Sequence, residues 1–149
     1  MPDGSARATP QVASGFSVTE TSDAREGLPW HLRHLESNEH HRAWRIRVVV
    51  ERATGLVVGS VNLKGPPDAE GDVEIGWGIS EARRRRGYAF EAVSGVIDWA
   101  VRQPGTRSLS ATIADDNTAS QQLAAKLGLV RSAQVRRDKP VWYRPAAQV

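Results

Sequence analysis

Apolar and polar residues alternate over residues 44–52, with Trp44, Ile46, Val48 and Val50 on one side and Arg45, Arg47, Val49 and Glu51 on the other. A period of two marks a strand with one buried face, so this segment is predicted to be a strand that buries Trp44, Ile46, Val48 and Val50. Ala53-Thr54-Gly55 reads as a tight turn and residues 56–64 as the returning strand of a hairpin. Residues 65–71 include Pro66 and Pro67, which have no N–H to give a ladder, and read as a loop. Residues 72–80 follow as a third antiparallel strand. The period then changes. Val93, Val96, Ile97 and Ala100 recur at helical spacing, which predicts a helix from Gly87 to about Val101, ended by Pro104-Gly105. Residues 107–113 read as a strand. Asp116 or Asn117 can cap a second helix that runs to Lys126, buries Leu123, Ala124 and Leu127, and stops at Gly128. Residues 129–135 and 141–144 form a last hairpin around the charged turn Arg137-Asp138-Lys139. The expected order is ββ-β-α-β-α-ββ.

Upstream of Trp44 the pattern weakens. Residues 1–15 are rich in Pro, Gly, Ser, Ala and Thr and predict a flexible tail. A short strand at residues 16–20 and a short helix at residues 29–36, opened by Pro29 and carrying Leu32 and Leu35, are the expectations there, with Asn38 capping a further turn. The chain has 149 residues, 40% apolar and 25% charged, which suits one globular domain over residues 16–149. No apolar run is long enough to span a bilayer, and the first residues lack the apolar segment of a signal peptide. Cysteine is absent, which rules out disulfides, thiolate metal sites and a cysteine nucleophile and agrees with a cytoplasmic location. His31 and His34 stand at helical spacing near His40 and His41, but no acidic set completes a metal site, so no metal is expected.

The net charge of +3 draws on four consecutive arginines, Arg83 to Arg86. Alone, such a run reads as a solvated basic loop or a non-specific nucleic-acid contact. Here it joins the end of a strand to the start of an amphipathic helix, with Gly87 and Ala89 in the turn. A helix N-terminus offers unpaired N–H groups and partial positive charge to an anion, and glycine lets backbone approach the ligand. Tyr88 is the only aromatic beside the run, so the interleaved aromatics of a nucleic-acid reader are missing. The pattern favours a compact phosphate site.

Three stretches in register resemble the GCN5-related N-acetyltransferases, in the branch that acetylates ribosomal-protein N-termini. They are Glu74-Ile75-Gly76-Trp77-Gly78-Ile79 leading into Arg84-Arg85-Arg86-Gly87-Tyr88-Ala89, then Glu91-Ala92-Val93 continuing to Ile97-Asp98-Trp99-Ala100, and Asn117-Thr118-Ala119-Ser120 followed by Lys126-Leu127-Gly128. The resemblance implies the acyl-CoA N-acyltransferase fold, an α/β architecture. Its sheet is mixed and mostly antiparallel, flanked by helices, and splayed between the strand ending at Ile79 and the strand ending at Ile113. It implies acetyl-CoA as co-substrate, with pyrophosphate held by the backbone of Arg84, Arg85, Arg86, Gly87, Tyr88 and Ala89, while Arg83 is solvated. Pantetheine would lie in the splay like an added strand, with the N–H of Ile79 polarising the thioester carbonyl and Asn117 and Ser120 bonding pantetheine. Glu74, a few residues before the splay, is the candidate general base, and Ser120 the candidate donor to the leaving sulfur. Ala124 stands where many members carry a tyrosine acid, Leu129 stands where phenylalanine is commoner, and the N-terminal region that builds the acceptor pocket is shorter than usual. The implied acceptor is a small-molecule amine or a protein N-terminus. The rivals are an acyl-CoA-binding module without turnover and a basic nucleic-acid binder. Open strand edges allow a homodimer.

Overall fold

The computed structural model describes residues 43–80 and 83–146. The tail, the strand expected at residues 16–20, the helix expected at residues 29–36 and the four histidines lie outside them. The described elements follow the expected order: β1 (Arg47–Val50), β2 (Val57–Leu63), β3 (Asp72–Ile79), α1 (Tyr88–Val101), β4 (Ser108–Thr112), α2 (Thr118–Lys126), β5 (Val130–Arg136) and β6 (Lys139–Pro145). The strands form a six-stranded sheet in the order β1-β2-β3-β4-β6-β5. Every pair is antiparallel except β3 with β4. Parallel neighbours need a crossover, and α1 supplies it.

Side chains of a strand alternate between faces, and here one face is almost wholly apolar. Val61 and Leu63 of β2, Val73 and Ile75 of β3, and Leu109, Ala111 and Ile113 of β4 and its exit share one core with Val93, Val96, Ile97 and Ala100 of α1 and with Ala124 and Leu127 of α2. The stripe read from the sequence is thus the buried stripe of α1. Gly128 ends α2 as expected: its φ is +84°, and Leu129 N–H reaches back 2.9 Å to the Ala124 carbonyl. Trp44 meets Trp99 edge-on with centroids 4.8 Å apart, and the Arg47 guanidinium lies 4.8 Å from the Trp99 ring.

The first strand departs from expectation in phase. Val48 and Val50 are 55% and 47% exposed, whereas Arg45 and Glu51 are 2% and 6% exposed. The register explains the inversion. Arg47 and Val49 oppose Val61 and Gly59 on the core face, so Val48 falls opposite Ser60 on the other. With Val48, Val49 and Val50 in a row, alternation could be read from either set. Among the described residues, no helix is long and apolar enough to cross a membrane.

Candidate active site

The site starts where β3 and β4 part. Their pairing consists of Asp72 with Ser108, Val73 with Leu109 and Glu74 with Ser110, and it goes no further although β3 runs on to Ile79. The opening therefore begins directly after Glu74, not several residues beyond it as the sequence reading had it. In an antiparallel ladder, alternate residues bond to the same neighbour. Ser80 N–H bonds Val58 C=O at 2.7 Å, and Lys64 N–H bonds Glu74 C=O at 3.0 Å. Even-numbered residues of β3 thus face β2, and Trp77 and Ile79 turn their N–H and C=O groups to the side β4 has left. On β4, Ile113 N–H bonds Pro140 C=O of β6 at 3.1 Å, so Thr112 turns its backbone toward the opening. The result is a gap between the two strands, edged with backbone groups that neither strand pairs with the other.

At the mouth of this gap stands the N-terminus of α1. Its N-cap is Gly87, with φ 79° and no side-chain cap bond. The first helical bond runs from Glu91 N–H to Gly87 C=O at 3.0 Å, so the N–H groups of Tyr88, Ala89 and Phe90 precede the hydrogen-bonded turns. A Cβ at Gly87 would meet nothing within 4 Å. That position is open space, and its left-handed φ rather than crowding is what favours glycine. Arg85, with φ 64°, adds a second left-handed turn and is exposed.

The arginine side chains turn mostly to the protein. Arg84 Nε donates to the Ile79 carbonyl at 3.1 Å, tying the loop to the end of β3. Glu51, at the end of β1, gathers the others. Its Oε2 accepts from the Tyr88 hydroxyl at 2.8 Å, and its Oε1 from the Thr54 hydroxyl at 2.8 Å. Arg83 Nε lies 3.2 Å from Oε2, at ion-pair distance although not aligned as a hydrogen bond, and Arg86 Nη1 lies 3.7 Å away. The Tyr88 hydroxyl, then the Thr54 hydroxyl, then the charges of Arg83 and Arg86 hold the Glu51 carboxyl below its ordinary range against the opposing effect of its burial. Arg83 is therefore an anchor rather than a solvated residue. Tyr88 turns its hydroxyl to Glu51 and lines the cleft as well. Glu51 itself escaped the sequence reading, which took it as a polar member of an alternating strand. The signal was indirect: a dense cationic loop calls for a counter-charge.

Across the opening, Asn117 caps α2 by accepting from Ser120 N–H at 3.2 Å. Its side-chain oxygen serves the helix, which leaves its amide NH2 for other use. Asn117 and Ser120 line a cleft of about 890 Å³ together with Trp77, Ile79, Gly87 and Ala89. All ten site residues read from the sequence except Arg86 and Glu74 line it.

Glu74 stands apart. It sits on the face away from α1 and α2, 12% exposed at its side chain, and lines a second cavity of about 290 Å³ with Lys64, Asp72 and Arg136. Arg136 Nη1 pairs with its Oε2 at 2.9 Å, and Arg137 Nη2 pairs with its Oε1. The Thr112 hydroxyl lies 3.4 Å from the same Oε1 and 3.2 Å from Arg137 Nη2. Thr112 also lines the large cleft, so this residue stands between that cleft and Glu74. Beside it Asp72 accepts from Ser108 at 2.7 Å and Ser110 at 2.5 Å, pinning β3 to β4 where they separate. Among the described residues, no group of three or more His, Asp or Glu side chains is placed to hold a metal.

Comparison with known proteins gives this geometry a family. The chain is 30% identical over 109 residues to the uncharacterized N-acetyltransferase YjdG of Bacillus subtilis, a match covering 73% of this chain and 65% of that one, so less than two thirds of the relative's length is spanned. It is 29% identical over 136 residues to an L-2,4-diaminobutyric acid acetyltransferase of Streptomyces coelicolor, covering 87% and 76% of the two chains. Among solved structures, a ribosomal-protein-S5-alanine acetyltransferase from Vibrio fischeri superposes with a TM-score of 0.66 at 16% identity, over 92% of this chain and 79% of that one. The fold is that of these acyltransferases, as the sequence led us to expect. The acetyltransferase (GNAT) domain model matches residues 5–130, and the chain belongs to that family.

Proposed function

We propose that the protein is an N-acetyltransferase that moves acetyl from acetyl-CoA to a primary amine by direct attack. The observation that carries this is the parting of β3 and β4 beside a helix N-terminus without a side-chain cap: Trp77 and Ile79 turn their backbone to the opening, where the Ile79 N–H is left to a ligand while its carbonyl accepts from Arg84, and the first N–H groups of α1 lie at its mouth. A pantetheine arm fits the gap as an added strand, and its pyrophosphate fits the turn from Arg84 to Ala89. Asn117 has an amide NH2 free for the pantetheine, and Ser120 lines the same cleft. A relative named for a diamino acid supports an amine as the acceptor.

In this reading the acceptor ammonium gives a proton to Glu74, and the free amine attacks the thioester carbonyl. The Ile79 N–H receives the oxyanion. The C–S bond then breaks, the nitrogen loses its second proton, and CoA leaves as the thiol, with Ser120 donating toward the sulfur. Glu74 must exchange an arginine partner for the acceptor before it can take that proton.

Calorimetric CoA binding and thiol release with an amine panel test this. Gly87→Glu, which puts an anionic side chain into the cradle at a left-handed φ, is expected to abolish CoA binding while circular dichroism stays unchanged. Glu74→Gln is expected to lower kcat by about 10²–10⁴-fold. CoA binding without thiol release from any amine would instead mark a binding module, and undiminished CoA affinity in Gly87→Glu would overturn the cradle.

A further inference from the structure

The sheet face away from α1 and α2 carries polar groups that lie outside the lining of the large cleft. On β2, Val61 and Leu63 face the core, so Ser60 and Asn62 face the other way. They are 3% and 1% exposed, and the Ser60 hydroxyl and both polar atoms of the Asn62 amide have no hydrogen-bond partner. Buried polar atoms are almost always paired, by protein, water or ligand. The register sets Asn62 opposite Gly76 and Ser60 opposite Gly78. Neither glycine has a side chain, so β3 puts nothing between these two residues and its own unpaired edge. At the closed end of the same face, Arg137 holds Glu74, and Thr112 touches both and reaches the large cleft.

We infer that this face binds the acceptor, and that the acceptor is an amine bearing its own carboxylate, a free amino acid or a close analogue. The inference deepens the proposed acetyl transfer and rests on it. A simple cation approaching Glu74 must expel Arg137 and leave a guanidinium beside it without a counter-ion. A zwitterion exchanges partners instead: its ammonium takes the Glu74 carboxylate and its carboxylate takes the Arg137 guanidinium. Charge stays balanced throughout, and a planar guanidinium suits a carboxylate bidentately. Arg137 is free to swing, being 57% exposed at its side chain and set in a turn where it and Asp138 both have positive φ. Arg136 stays in place, because its Nη1 also donates to the Ser110 hydroxyl at 3.3 Å and its Nη2 lies 3.9 Å from Asp72. Asn62, with a donor and an acceptor, and Ser60 line neither cavity, and on this proposal the polar end of the acceptor reaches them across the two glycines.

The test pairs amino acids with their decarboxylated twins, lysine with cadaverine and 2,4-diaminobutyrate with 1,3-diaminopropane, in thiol release and in calorimetric binding to the CoA-loaded protein. The amino acid of each pair is expected to have a kcat/KM at least about tenfold higher, the scale of one charge-assisted contact. Arg137→Ala is expected to raise KM for the amino acid and lower it for the diamine, since the arginine aids one and competes with the other, and Arg137→Lys restores part of the preference. Asn62→Ala is expected to raise KM for the amino acid with little change in kcat. Equal or faster turnover of the diamines, faster turnover of a peptide N-terminus, or Arg137→Ala shifting both KM values the same way overturns the inference while leaving acetyl transfer standing. Thiol release from no amine, with CoA still bound, removes both.

Discussion

Glu51 is a carboxylate on which the loop before α1 is gathered. It joins the end of β1 to Tyr88 at the start of α1 and to Arg83 and Arg86 in the loop between β3 and α1. Glu51→Gln removes the charge and keeps the shape, so the loop should lose its two ion pairs. CoA affinity is then expected to fall about tenfold, the scale of one charge-assisted contact, and Tyr88→Phe should have a smaller effect because it deletes one hydrogen bond only. Calorimetric titration of the two variants gives the ranking, and equal effects would remove the ion pairs from the account. The pH dependence follows in sign. The folded carboxyl is held below its ordinary value of 4.5, so its contribution is complete above that value and is lost as pH falls through the lower folded value. The acid limb of a denaturation curve should therefore be shallower in Glu51→Gln. These partners lie 32 to 37 residues apart, which is why a reading by local pattern saw four arginines and a tyrosine but not the carboxylate that organises them.

At the scale of elements, what repeats was legible and what depends on neighbours was not. The α1 stripe follows from spacing alone, and Ile97, 1% exposed at its centre, is expected to lose about 2–5 kcal/mol of stability on truncation to Ala, read from urea denaturation. The phase of β1 was misread because a run of three valines supports both alternations, and only pairing with β2 decides. The point of separation between β3 and β4 was displaced for the same reason: periodicity gives a strand its faces, not the last residue that pairs. Gly59 shows how tightly the pairing around that opening is set. A Cβ there would lie 2.3 Å from the Gly78 carbonyl oxygen and 2.6 Å from the Ile79 side chain, directly across from Ile79. Gly59→Ala must push β2 from β3 where Ile79 meets the gap, so CoA affinity and stability should fall together. Loss of stability with unchanged affinity would show that the Ile79 backbone does not serve the ligand.

The described residues form two three-stranded blocks, β1-β2-β3 and β4-β6-β5, that touch along three residue pairs and share one core with α1 and α2. The parting leaves the blocks under-joined, so CoA bonded to both edges, as proposed, should act as the missing strand. At a hundred times its Kd, CoA is expected to add about 2.7 kcal/mol to folding stability. Where that protection appears is the sharper expectation. Gly76 and Gly78 already face β2, so their amides should exchange slowly with or without CoA. Trp77 and Ile79 face the gap, so theirs should exchange quickly in the free protein and slow when CoA is bound. Amide exchange followed by NMR separates the two sets within a single strand. Protection that rises equally at all four positions would mean that CoA merely stiffens the domain. Alternating protection would place the ligand in the gap, bonded to the edge that β4 leaves after Glu74.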